Sequence, residues 1–248
     1  MLKAPERPAG ERVLAQLPFV LGQAGLVLLG LLIYFGVRGL TEGSVGLAHD
    51  NANAIVRFER SLGINVESGL QDLVAPSETM QTIANWIYIW GHWPVIILTM
   101  LWLVWQHRVV FVRLRNAMMI SGALGMIVFV SYPVAPPRLA DLGLIDTVSE
   151  QSHAYRVLQP PAFVNQYAAM PSLHSGWDLL VGMAIIAAAS SIALRVVGFA
   201  MPVLMAFAVV ATANHYIVDV VAGVALVLVG HAAALWLERR REPHREVV

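Results

Sequence analysis

The strongest constraint on this chain is a series of six apolar stretches, at about residues 18–37, 82–105, 117–131, 177–194, 197–213 and 218–236. A helix needs roughly 20 mainly apolar residues to cross about 30 Å of hydrocarbon, and most of these stretches approach or exceed that length. Backbone inside lipid has no water to bond, so each stretch must satisfy its own N–H and C=O groups, as a helix does. Composition agrees: 58% of the 248 residues are hydrophobic and 13% are charged, against about a quarter charged in a soluble domain. The expected fold is all-α: a polytopic membrane protein with six transmembrane helices plus one or two interfacial amphipathic helices. One membrane domain is expected over 17–237, between polar tails at 1–16 and 238–248. Net charge is zero and there are no cysteines. Nothing therefore points to nucleic acid, and disulfides, a thiol nucleophile and thiolate-bound metal are excluded.

The first stretch is too long for a signal peptide, and Arg38-Gly39-Leu40-Thr41-Glu42 follows it without a small-x-small cleavage pattern, so it is read as a retained span. Residues 41–79 are mixed. Ile55, Phe58 and Leu62 are apolar at helical spacing, with Arg57, Glu59 and Arg60 between them, and Gly63 ends the pattern. Val66, Leu70, Leu73 and Val74 form a second short piece, with Glu67 and Asp72 on its other side. These are the expected interfacial helices. The second span opens on an aromatic belt, Trp86 to Trp93. A basic turn with Arg108, Arg113 and Arg115 precedes the third, and a long loop to Met170 follows it. Lys and Arg concentrate on the segments that are inside if the N-terminus is inside. Both termini are then cytoplasmic in a multi-pass protein of the cell membrane, and the polar islands face outside.

Three such islands are expected to converge at one membrane face: Tyr132 to Arg138, Pro171 to His174, and Asn214 to Asp219. His215 and Asp219 are four apart and share a helical face. A carboxylate beside an imidazole fixes its tautomer and leaves the other nitrogen free to attack. In isolation, such a pair also reads as mutual neutralisation of two buried groups. His174 adds a second titratable group for proton transfer to a leaving oxygen. Arg138 offers a fixed charge to phosphate oxygens, or only a snorkelling side chain. Ser172 caps the helix that follows, whose N-terminus favours an anion. His92, between Trp90 and Trp93, lines the site or belongs to the belt. Asp178, one turn past His174, accepts a hydrogen bond from it or simply favours the helix start. No histidine–carboxylate spacing argues for a metal site, and no cofactor is expected.

Pro171-Ser172-Leu173-His174 and His215-x-x-x-Asp219 resemble the second and third motifs of the type 2 phosphatidic acid phosphatase superfamily. With Tyr132 to Arg138, Tyr167 to His174, Asn214 to Asp219, Gly223 and Tyr88-x-x-x-His92-x-Pro94, the set is most similar to its inositol phosphorylceramide synthase-like branch. The resemblance covers about residues 50–235. It implies a six-helix fold and metal-independent phosphoryl transfer. In that transfer His215 forms a phosphohistidine, Asp219 orients it, His174 protonates the leaving group, and Arg138 and Ser172 bind phosphate. His92, Tyr167 and Asn214 are candidates to line the substrate. The chain departs from the superfamily's phosphatases in two places: the first motif lacks its Lys, and Ala208 and Val209 stand where a Ser-Arg pair is usual. Arg156, Arg57 or Arg60 are the candidate replacements.

The expected activity is that of a membrane lipid-phosphate phosphatase or phospho-headgroup transferase at the outer leaflet. Its partners are the bilayer, a lipid-linked phosphate and, for transfer, an alcohol acceptor. The alternative is a non-catalytic lipid-phosphate binding or transport protein, which needs Arg138 and a helix N-terminus but no proton-transferring histidine pair.

Overall fold

The computed structural model describes residues 9–40, 45–148 and 165–241. Nine α-helices are described: α1 (Ala9–Leu40), α2 (Val45–Leu62), α3 (Glu67–Val74), α4 (Glu78–Trp90), α5 (Trp93–Gln106), α6 (Arg108–Ser131), α7 (Leu173–Ala188), α8 (Ile192–Ala211) and α9 (Ile217–Arg241). The described residues also include a short 3-10 turn at Pro137–Leu139 and an isolated parallel bridge between Val134 and Ala168. Arg156 and most of the loop before Asn165 lie outside them.

Among the described residues, four stretches are long and apolar enough to cross a membrane: Leu14–Ile33 in α1, α6, α8 and most of α9. A fifth exists if α4 and α5 count together, although they are bent by 40°. The expected second span, 82–105, is thus two helices. Gly91 caps α4, its N–H donating to the Ile87 carbonyl at 3.0 Å. Proline then opens α5 as Pro94, in the first turn, where a helix leaves its N–H groups unbonded anyway. His92 falls at the break. The expected fourth span is also shorter than read. α7 has 16 residues, about 24 Å of helix at 1.5 Å per residue, which is less than the hydrocarbon thickness of a typical bilayer. The third is longer, because the arginines assigned to a basic turn belong to the start of α6, and the turn is His107 alone. There Arg113 grips Glu238 of α9 through two bonds of 2.8 and 2.9 Å. Arg115 bonds Gln23 and Asn116.

Helix α7 sits at the centre, packed against α6, α8 and α9, with Trp177, Leu180 and Val181 in the main core beside Val227. The α7–α9 crossing is close because it is built on glycine. A methyl on Gly223 would overlap the Ser172 carbonyl, and one on Gly176 would meet the Val227 side chain and the Gly223 carbonyl. The Ser172 N–H also donates to the Asp219 carbonyl at 2.9 Å. This packing brings His174 and His215 to one end of the bundle.

The two expected amphipathic helices are α2 and α3, with a difference in their polar faces. Glu59 and Glu67, read from the sequence as lying on the polar sides, are buried with 0% and 2% of their surface exposed. Glu59 continues the face of Ala48, Ala52 and Ile55 at intervals of three and four residues.

Candidate active site

Helix α8 ends at Ala211, and the chain reverses through Ala213, whose φ of 56° is left-handed. A residue with a Cβ pays roughly 1–2 kcal/mol for that conformation. In return the N–H groups of Asn214 and His215 both reach the Val209 carbonyl at 3.0 Å. His215 is thereby fixed just before α9. Its Nδ1 lies 2.8 Å from the carbonyl oxygen of Ala169. A carbonyl only accepts, so Nδ1 carries the hydrogen in that bond and Nε2 keeps its lone pair. Asp219 Oδ2 is further from Nδ1, at 3.5 Å, and accepts instead from the Tyr216 N–H at 2.9 Å. The expected His215–Asp219 pair therefore forms, but the tautomer is set chiefly by Ala169, and Asp219 contributes charge. Ala169 is itself held through its N–H on the Val134 carbonyl, while the Val134 N–H bonds the Tyr167 carbonyl. Tyr167 thus enters the site's support through its main chain.

His174 is the second residue of α7. Ser172, fully buried, is the N-cap, and its Oγ accepts weakly from the Ser175 N–H at 3.4 Å. The His174 and His215 ring centroids are 6.1 Å apart. Tyr88 stacks on His174 at 4.6 Å, and His92 lies 4.3 Å from it. His92 thus packs beside His174 and does not face lipid, with 2% of its surface exposed. Asp178 bonds His92, Nδ1 to Oδ1 at 2.7 Å.

Arg138 is brought to the same end. Its main-chain N–H donates to the Ala213 carbonyl, its guanidinium donates to Asn214 Oδ1 at 2.6 Å, and its Nε lies 3.1 Å from Asp146. Asn214 is buried and gives its own amide hydrogens to Thr212. It therefore fixes Arg138, beyond any part in lining substrate. The missing cations are not restored among the described residues: Ala208 and Val209 are buried and apolar, and Arg57 and Arg60 are exposed on α2.

Two residues at this end, Glu59 and Glu67, were not expected there. The first N–H groups at α9 are capped by three carboxylates from three helices. Tyr216 N–H donates to Asp219, Ile217 N–H to Glu67 Oε1 at 3.1 Å, and Val218 N–H to Glu59 Oε1 at 2.8 Å. Their oxygens satisfy N–H groups that a helix start leaves unbonded. They also occupy an N-terminus that otherwise favours an anion. Burial pushes the Glu59 carboxyl up to about 8, despite the Val218 N–H that favours its charged form; neighbouring Glu67 and Asp219 push it further up. The sequence signal was the place of Glu59 four residues after Ile55, on the apolar face.

Trp93 and Trp177, whose rings flank His92, also line an apolar cavity of about 400 Å³ shared by α1, α5 and α6. No group of three or more His, Asp or Glu among the described residues is arranged to hold a metal ion.

Neither curated proteins nor solved structures give a match to the chain. A family model does: the one described as PAP2 superfamily matches residues 53–233, a span that begins within α2 and ends within α9, enclosing His92, Arg138, His174, His215 and Asp219. With four or five membrane-crossing stretches around that constellation, the chain is a membrane protein of the PAP2 superfamily, with the phosphatase-type lipid-phosphate activity which that membership supports.

Proposed function

We propose that the protein cleaves a lipid-linked phosphate through a phosphohistidine on His215. The reading rests on the His215 ring, whose Nδ1 is committed to the Ala169 carbonyl, so that Nε2 is left as a nucleophile, with the His174 ring 6.1 Å away. In the first step the Nε2 lone pair attacks phosphorus, the bond to the leaving oxygen breaks, and the proton on His174 passes to that oxygen. Asp219 balances the positive charge that develops on His215. In the second step water or an alcohol attacks phosphorus, its proton returns to His174, and the P–N electrons return to His215. Arg138, aimed by Asn214 and Asp146, stabilises the equatorial oxygens. Most of the rate comes from this positioning.

The six apolar stretches suit a six-span bundle in the cell membrane, with both termini inside and the histidines at the outer leaflet, as the Lys and Arg bias favours. A lipid phosphate then enters laterally, its headgroup at the histidines and its tail in hydrocarbon. Transfer to an alcohol, as in the inositol phosphorylceramide synthase-like branch, is favoured over simple hydrolysis by the apolar Ala208 and Val209 where a phosphatase carries a cation. The experiment is phosphate release from lipid phosphates and diphosphates by detergent-purified protein in excess chelator, with and without an alcohol acceptor. Release that vanishes in His215→Ala supports catalysis. Intact biological activity in His174→Ala and His215→Ala, with loss in Arg138→Ala, supports the binding-protein alternative instead.

A further inference from the structure

Asp178 lies one turn beyond His174, yet its carboxylate is bonded to His92. Both side chains are almost wholly buried, at 3% exposure for His92 and 0% for Asp178. A lone carboxylate at that depth is costly, and ionisable groups inside a membrane protein tend to be retained for function. The 2.7 Å separation is that of a charge-assisted bond, with Nδ1–H of His92 donating to Oδ1. Oδ2 of Asp178 has no hydrogen-bond partner among the described residues. The chain also breaks a membrane stretch to make this bond, since His92 is the hinge between α4 and α5, with φ −96° and ψ −90°. Its ring is fixed by the parallel Trp177 at 6.2 Å and the edge of Trp93 at 5.3 Å.

We propose that His92 and Asp178 are positioning residues of the phosphoryl-transfer site, a second histidine–carboxylate pair that aligns His174 against Tyr88 and supplies the negative charge that keeps its proton in place until the leaving oxygen takes it. The inference rests on the reading of His174 as the acid. A negative charge close by favours the protonated form of an imidazole. Among the described residues, the titratable rings packed near His174 include Tyr88 from α4, His92 from the α4–α5 break and His215 before α9. Asp219 lies beside His215, whose ring centroid is 6.1 Å from that of His174, whereas Asp178 is bonded to His92, whose ring is nearer, at 4.3 Å. The carboxylate of Asp178, one ring removed, is the compensating charge. In an effective dielectric of about 20, a unit charge within roughly 5–10 Å moves the protonation of an imidazole by on the order of one to two pH units.

The test is Asp178→Asn in the full chain, read as kcat/KM against pH on two substrates of opposite leaving-group demand. An alkyl phosphate ester needs a proton on its leaving oxygen, whereas nitrophenyl phosphate needs little help. The expected result is an alkaline fall in activity displaced to lower pH by about one unit or more. The alkyl ester should lose roughly 10-fold or more near pH 8 and nitrophenyl phosphate less than about 3-fold. His92→Gln should reproduce the pattern, Asp178→Glu should restore part of it, and thermal melting in detergent checks that each variant is folded. Equal losses on both substrates with an unmoved alkaline limb, in either folded variant, overturn the proposal and leave the pair as packing. No cleavage of either substrate by the wild type, with or without an added alcohol acceptor, overturns the phosphoryl-transfer reading itself, and the inference falls with it.

Discussion

The two histidine–carboxylate pairs differ in what the histidine has left to give. In His215–Asp219 the carboxylate stands off at 3.5 Å, and a main-chain carbonyl takes the Nδ1 hydrogen. In His92–Asp178 the carboxylate itself takes the bond, at 2.7 Å. The first histidine sits in a reversing turn at the bundle's end, and the second at a break inside a membrane stretch. The same two residue types therefore serve different chemistry. In the proposed reaction, the loosely held carboxylate balances charge that appears on His215, whereas the tightly bonded one fixes a ring and a standing charge beside His174.

Substituting each pair in turn is the sharpest way to break that contrast. His215→Ala should abolish turnover, by about 10⁴-fold or more, as removal of a nucleophile does; His92→Ala should leave measurable activity at low pH. Equal, complete loss in both folded proteins would erase the distinction. Asp219→Asn comes next, with an expected fall of roughly 10–100-fold in kcat and little change in KM. That is smaller than where a carboxylate alone holds the tautomer, because Ala169 keeps it here. A fall as deep as that of His215→Ala would show that the 3.5 Å contact tightens in the working state.

The third prediction concerns the carboxylates that only the His215 side possesses. Glu59 has a raised pKa, about 8 folded against about 4.5 for a free side chain. A carboxyl with a raised folded value stabilises the protein below its unfolded pKa, and that contribution is lost as pH rises through the folded one. Wild-type thermal stability should therefore fall between about pH 4.5 and 8. Glu59→Gln keeps an acceptor for the Val218 N–H and should flatten that slope, as melting in detergent across this range would reveal. A slope unchanged in Glu59→Gln would place the titration elsewhere. The smallest effect is at Ala213, where glycine removes the left-handed strain. Ala213→Gly should change stability by no more than about 1 kcal/mol in either direction and leave kcat unaltered.

Much of this was legible in the chain. Apolar length revealed the helical membrane class, and the spacing of His174, His215 and Asp219 pointed to the superfamily whose model matches the chain. The breaks were not legible. The continuous apolarity from Thr82 to Trp105 is blind to a cap, so the stretch around Gly91 and Pro94 read as one helix, and His92 was left between the site and the belt. Glu59 and Glu67 were assigned to water because their periodicity was judged without the helix that covers them; only the packing of α2 and α3 against α9 shows that they cap it. The Ala169 carbonyl left no trace at all, since main-chain groups have no residue signature.

The central claim is that His215 becomes covalently phosphorylated, and it is tested most directly by mixing wild-type protein with a phosphorus-labelled lipid phosphate, quenching in base and mapping the label by mass spectrometry. The prediction is an acid-labile, base-stable phosphate on His215, absent from His215→Ala. Label on another residue, or turnover with no labelled protein at any quench time, would contradict it.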